Sequence, residues 1–320
     1  MGATTGVALS ARRLQAYGAV VIDIEDGMRR KAMIVCTWLS ASAGGTLAAE
    51  KVVDFQVDGQ KVVGTLNLPD GVTKPPVILL LHGFTGSRNE LEIPAVKEGI
   101  FTRAARLWAK RGVASLRIDF RGSGESEGAF ADTTLDGQIK DGLAALDYLA
   151  DLDEVDADRT ALVGWSMGGA VGAAVAARTK HGLDSVSLWA PGTNMAAAIT
   201  FVLGPDTVKK GLAAGAEAID ATLPWGAKVQ LKGAFFNNLF TVDPVAEIAS
   251  YDGPLLIAVG TRDDVVFPQP ASGQVLLDYH DGEEELIVWP MDHAFNASEN
   301  TTTVDKLITV TGDFIVRHFD

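Results

Sequence analysis

The chain is poor in the residues that build metal and disulfide sites. It has one cysteine, Cys36, which excludes an intramolecular disulfide and any site held by several thiolates. Its five histidines, His82, His181, His280, His293 and His318, include no H-E-x-x-H pair that would put two imidazoles on one helical face. No catalytic metal and no cofactor is expected. Positive charge is also scarce, with 27 Lys and Arg against 41 Asp and Glu and a net charge of −14. That balance argues against nucleic acid and against stable association with an anionic membrane, since both attract basic patches. Internal repeats and low-complexity linkers are missing too.

What the chain has is apolar substance: 47% hydrophobic residues over 320 positions suffice for a sizeable core, in one large α/β domain or two ordinary ones. The N-terminal stretch reads separately. Met28-Arg29-Arg30-Lys31 precedes the apolar run 32–39, and Ala48-Ala49 follows a small-residue region, in the order of a signal peptide. Residues 1–49 are therefore expected to be a leader, with Met28 as the effective start, and the protein to be exported to a periplasm or secreted. A buried or amphipathic N-terminal helix in a cytoplasmic protein is the alternative.

From Lys51 the pattern alternates between strands and helices, which predicts a mostly parallel sheet covered on both faces. A hairpin is expected from 52–57 and 61–68 about Asp58-Gly59, then strands at 77–81, 113–118, 160–163, 185–189, 254–259 and 285–289. Helices are expected at 100–110, 135–149 and 304–316. Residues 194–250 break the alternation and carry more apolar surface than a connection needs. They are read as a cap inserted into a core formed by 50–193 and 251–320, with Phe235, Phe236 and Phe240 as its candidate acyl-binding surface.

The chemistry concentrates at Gly164-Trp165-Ser166-Met167-Gly168, a serine on a sharp turn between an apolar strand and a small-residue helix. A serine hydroxyl is a weak nucleophile that needs a base oriented by a carboxylate. Both follow in the chain, each just beyond a strand end: Gly260-Thr261-Arg262-Asp263 and Met291-Asp292-His293. Ser166, His293 and Asp263 are the candidate catalytic residues. Asp264 competes with Asp263 but stands less well in relation to the strand end. Asp292 reads as a carboxylate that fixes its loop, while His181, His280 and His318 lie in surroundings that suggest exposure. The oxyanion hole is expected from the amides of Met167 and Phe84, with His82-Gly83 turning the latter toward the site. The turn 121–126 lacks the ending of a phosphate loop and reads as structural.

Together with His82-Gly83-Phe84-Thr85-Gly86, Asp119-Phe120-Arg121-Gly122-Ser123-Gly124, Leu188-Trp189-Ala190-Pro191 and Asp243-Pro244, these motifs resemble the α/β-hydrolase superfamily from about Val53 onward. Within it, the chain is similar to esterases acting on cinnamoyl and feruloyl esters and to broad-specificity carboxylesterases. The resemblance implies a serine esterase with a cap and a small-molecule ester as substrate. Trp165, Met167 and Ala294 depart from that group's usual residues and put substrate identity, not catalysis, in doubt. A serine peptidase or aminopeptidase of the same fold is the alternative and would need a cap carboxylate, for which Asp206, Glu217 and Asp220 are available. A non-catalytic binding protein on this scaffold would be expected to have a broken set.

Overall fold

The computed structural model describes residues 9–13, 20–24, 31–35 and 49–319. The chain divides into two units, Met1–Gly45 and Thr46–Asp320. In the first, Leu9–Arg13, Val20–Ile24 and Lys31–Val35 pair in sequence order as an antiparallel sheet. The rest of the apolar run and the small-residue region expected to form a leader, 36–48, lies outside the described residues.

The second unit is built on eight strands: β1 Ala49–Val57, β2 Gln60–Leu68, β3 Pro76–Leu81, β4 Ala114–Ile118, β5 Asp156–Trp165, β6 Ser185–Trp189, β7 Leu255–Gly260 and β8 Glu284–Trp289. Their order across the sheet is β8-β7-β6-β5-β3-β4-β2-β1. All neighbours from β8 to β4 are parallel, whereas β2 runs antiparallel to both β4 and β1. The hairpin therefore forms one edge, with Asp58 and Gly59 at positive φ as a tight two-residue turn requires. The parallel strands are short and mostly apolar because both of their faces are covered, although β4 buries Ser115 and Arg117 and β6 buries Ser185 and Ser187. One difference concerns β5, expected from Thr160. It starts at Asp156, but its ladder to β3 shifts register between Asp156 and Thr160, so the polar residues before Thr160 form an irregular lead-in.

Helices α1 Ile100–Ala109 and α8 Thr302–Val316 cover one face, packing Phe101, Trp108, Phe314 and Ile315 against Ile78, Leu80, Val163 and Trp189. Each buried indole finds an acceptor: Trp108 donates to the Ile308 carbonyl at 3.0 Å and Trp189 to the Thr311 hydroxyl at 3.0 Å. On the other face, α2 Leu135–Ala150 and α3 Met167–Arg178 bury Ile139, Leu146, Val171 and Val175 against Leu79, Leu81, Leu162 and Leu188. The Thr134 side chain caps α2 by accepting from the Gly137 amide, which supplies one of the first turn's missing acceptors.

Between β6 and β7 the chain forms α4 Met195–Leu203, α5 Pro205–Ala213, an antiparallel hairpin of Ala218–Thr222 with Lys228–Lys232, α6 Gly233–Asn238 and α7 Pro244–Ile248. The last of these, capped by Asp243, docks on the core: Glu247 accepts from Arg178 at the end of α3. The register of the parallel strands brings Leu81, Trp165, Trp189, Gly260 and the residues after them to one edge of the sheet. The candidate site lies along that edge.

Candidate active site

Ser166 sits between β5 and α3 with φ 56° and ψ −118°, a conformation costly for a residue bearing a side chain. The turn is sustained by close backbone packing. A Cβ on Gly164 would lie 2.3 Å from the Gly168 carbonyl, and one on Gly168 would lie 2.1 Å from that of Leu81. Only glycine permits these approaches. The Ser166 amide donates to Trp189 at 2.9 Å, and its carbonyl accepts from the amides of Gly169 and Gly192, both at 3.0 Å. The strained residue is thus fixed from the sheet, the helix and the chain after β6.

The expected residues meet. The Ser166 hydroxyl donates to His293 Nε2 at 2.9 Å, and His293 Nδ1 donates to Asp263 Oδ2 at 2.8 Å. The Asp263 side chain is fully buried, and its other oxygen accepts from the amides of Val265 and Val266, each at 2.9 Å. Asp264, its competitor, is exposed. Asp292 fixes its loop by accepting from the amides of Ala294 and Asn296 at 3.0 and 2.7 Å. Arg262 ties the two loops together by donating to the Pro290 carbonyl and to Asn296 Oδ1. The carboxylate and the imidazole are therefore cross-braced independently of their own bond.

Trp165 supports the histidine from the Ser166 side. Its indole N–H donates to the His293 carbonyl at 3.1 Å, and the two rings lie 5.4 Å apart. As the first residue of α3, Met167 has an amide with no intrahelical acceptor. Phe84 follows Gly83, where a Cβ would come within 3.4 Å of that of Ser166 and 3.0 Å of the Trp165 ring. Both Phe84 and Met167 line the cavity that holds Ser166.

His82 is buried and acts structurally. The Phe120 amide donates to its Nε2 at 3.1 Å, which leaves Nδ1 to donate to the Gly83 carbonyl at 2.8 Å. Burial lowers its pKa to about 4, so it stays neutral. In unfolded chains an imidazole protonates near its ordinary value of 6.5. The unfolded state therefore binds the extra proton as the pH falls below that value, and His82 makes the fold less stable from there down to about pH 4. The turn after β4 is structural as well: buried Asp119 accepts from the amides of Arg88 and Glu125, and Arg121 is committed to Asp141 at 2.6 Å. His280 corrects an expectation. It is buried, not exposed, because Nε2 donates to the Gly253 carbonyl and Nδ1 accepts from the Gly282 amide across the β7 and β8 approaches.

The cavity over Ser166 has a volume of about 310 Å³. Its apolar wall comes from Met195, Ile199 and Val202 of α4, Trp225 of the hairpin, and Val265 and Val266. The three phenylalanines expected there are elsewhere. Phe235 and Phe236 are buried, Phe235 stacking behind Phe84 at 5.5 Å, and Phe240 is 62% exposed on a different concavity. The short helix α6 turns its two aromatic residues inward against α5 and the core, which sequence spacing alone did not specify. Asp206, Glu217 and Asp220 are all exposed, and none lines this cavity. One acid that does is Glu90. Sequence reading passed over it because a glutamate in a polar loop ordinarily stays in water.

This strand order, elbow and hydrogen-bonded set define a class. The sequence matches the family described as alpha/beta hydrolase fold over residues 76–228, and the chain has the α/β-hydrolase fold. Among curated relatives it is 30% identical over 119 residues to an uncharacterized 31.7 kDa protein of the traX-finO intergenic region of Escherichia coli. It is 35% identical over 121 residues to thiohydrolase aneE of Aspergillus aculeatus. These matches cover 37% of this chain in both cases, and 38% and 35% of the relatives, little more than a third of their length. Among solved structures, Est1E of Butyrivibrio proteoclasticus with ferulic acid bound superposes with a TM-score of 0.65 and 23% identity, over 83% of this chain and 98% of that one. The esterase domain of a Rhodothermus marinus protein gives 0.62 and 22%, over 84% and 98%. At such identities these two structures establish the fold.

Proposed function

We propose that the protein is a serine hydrolase of carboxylic esters with an apolar acyl group. The observation that carries this reading is the continuous chain from Ser166 through His293 to buried Asp263, opening onto an apolar cavity. His293 Nε2 takes the hydroxyl proton as Ser166 Oγ attacks the ester carbonyl, and the carbonyl oxygen becomes anionic between the Met167 and Phe84 amides. Collapse of this intermediate breaks the bond to the alkoxide, which leaves with the proton held on His293. Water then enters, His293 takes one of its protons, and the resulting hydroxide attacks the acyl-enzyme. The carboxylic acid leaves, and the proton returns to Ser166. Asp263 holds the imidazole in the required tautomer throughout and stabilises its charged form.

Esters suit the cavity's apolar wall, and the acid that lines it, Glu90, is engaged by the Gly83 and Leu91 amides. No exposed carboxylate of the inserted segment reaches the cavity, so a substrate ammonium would find no counter-charge from those residues. Its volume and lining suit a medium-length aliphatic or a single-ring acyl group, the latter in keeping with the ferulic acid named for Est1E. The thiohydrolase among the relatives makes acyl thioesters a natural addition to the assay.

The test is turnover of nitrophenyl esters of increasing chain length, methyl ferulate, an acyl thioester and an aminoacyl anilide by the whole chain and by Ser166→Ala. Ester turnover abolished in the variant is expected. Turnover of the anilide alone, or activity surviving in the variant, overturns the reading. Export from the cell is a separate proposal resting on residues 28–49, checked by fractionation and by sequencing the mature N-terminus.

A further inference from the structure

Glu90 lies in the loop after β3 at positive φ, 56°, with only 8% of its surface exposed. Its carboxyl group turns back beneath the turn that presents Phe84. Oε2 accepts from the Gly83 amide at 2.7 Å, and Oε1 accepts from the Leu91 amide at 3.2 Å. The fit is tight, since a Cβ on Gly86 would lie 2.7 Å from Oε1. The Phe84 amide lies in the next peptide plane, whose Gly83 carbonyl accepts from His82 Nδ1 and the Gly86 amide, so Glu90 and His82 brace the two successive planes of the turn. Glu90 also lines the cavity with Ser166.

We infer that Glu90 is a positioning residue of the oxyanion hole, which holds the Gly83–Phe84 turn through an uncharged carboxylic acid and weakens transition-state binding when it ionises. This rests on the esterase reading above. Burial raises the Glu90 pKa to about 8, and the two backbone donors only partly offset it. No ionised side chain is a cause of that shift. Of the charged groups around it, Arg88 on the same loop is committed to Asp119 and Glu125, and buried Asp119 at the end of β4 accepts from Arg88. On the short antiparallel pair Glu92–Ile93 and Glu98–Gly99 that follows residue 90, Glu98 pairs with Arg103 and Arg106, and Glu92 is exposed, as is Lys97 between the two strands. His82 before the turn is neutral, and His293 stands across the cavity, bonded to Asp263.

An acceptor on the Gly83 amide satisfies a buried donor and fixes the turn, and small misplacements of a catalytic group cost about a hundredfold in rate. Charge acts separately. A carboxylate one hydrogen bond from the residue preceding Phe84 would raise the energy of the developing oxyanion in a site shielded from water, so the neutral form is the productive one. At pH 7 a group titrating near 8 is mostly neutral.

The experiment measures kcat and KM for a nitrophenyl ester from pH 6 to 9.5 in the wild type, Glu90→Gln and Glu90→Ala, with Ser166→Ala as the blank. Wild-type kcat should decline on a limb centred near pH 8. Glu90→Gln keeps an acceptor for Gly83, gives up the longer bond to Leu91 and cannot ionise. It should lose a few-fold in kcat and show no such limb. Glu90→Ala should lose about 30- to 100-fold in kcat with KM within about threefold, since the hole acts in the transition state. A wild-type profile with no limb near 8, a limb that persists in Glu90→Gln, or a Glu90→Ala effect confined to KM overturns the inference. If Glu90→Ala does not fold by circular dichroism, the wild-type and Glu90→Gln profiles decide. In all these outcomes Ser166-dependent turnover remains, whereas its absence overturns the esterase reading itself and the inference with it.

Discussion

The sheet edge and the inserted segment face each other across one cavity and are built on opposite principles. At the edge, the polar groups are held by hydrogen bonds to or from the backbone: the Asp263 carboxylate by the amides of Val265 and Val266, the Ser166 main chain by Trp189 and Gly192, and the Gly83 amide by the Glu90 carboxyl group. The segment between β6 and β7 supplies apolar contact from α4 and from Trp225, and several of its large side chains, Phe201, Trp225 and Phe240, stand open to solvent. On the proposed esterase reading, fixed geometry belongs where bonds are made and broken. Shape that can be exchanged belongs where a substrate tail is gripped. The lesson is that one polypeptide can vary its substrate without touching its chemistry.

Substitutions along the edge should be severe, and the largest effect is expected from the nucleophile. Ser166→Ala should lower kcat by about a millionfold in a steady-state assay, a loss typical of removing a nucleophile whose partners act as one unit. Asp263→Asn keeps the shape but offers a donor where His293 Nδ1 also donates, so the wrong tautomer is favoured. A loss of about ten-thousandfold in kcat is expected with little change in KM. Gly168→Ala forces a methyl group against the Leu81 carbonyl, and a destabilisation of about 3 kcal/mol should appear in urea titration.

Across the cavity the expected effects shrink. Trp225→Ala should lower kcat/KM for long acyl chains several-fold while leaving acetyl esters nearly unaffected, from about 1 kcal/mol of lost apolar contact. Phe240→Ala, which lies off the cavity, should change turnover less than about twofold. If Phe240→Ala exceeded Trp225→Ala on a chain-length panel, the contrast drawn here between the two regions would have its gripping surface in the wrong place.

The division also explains what could be read from the sequence. The parallel strands were legible because burial on both faces leaves mostly apolar runs, and Ser166, Asp263 and His293 because each lies at or a few residues beyond the end of such a run. The core of the fold needed no tertiary knowledge. The inner wall of the inserted segment did. Phe235 and Phe236 are as apolar as any lining residue, and only the packing of α6 on α5 and Phe84 decides that they face away. Glu90 and His280 were hidden for the opposite reason: they are polar residues in polar stretches, and burial came from neighbours distant in the chain. The loop's one visible oddity, a carboxylate seven residues beyond Gly83, has no signature by itself.

The bond between the Trp165 indole and the His293 carbonyl has a dynamic consequence. Two successive residues grip the histidine at both ends: Trp165 holds its main chain, and Ser166 holds the tip of its ring. Drift of the imidazole toward or away from the serine would have to stretch both holds at once. Small rotation about the side-chain bonds disturbs them less, and it is the movement that a proton carried from serine to leaving group requires. For the proposed reaction, the folded chain has thus already surrendered the freedoms that would otherwise be lost, and has kept the single swing that reaction would use.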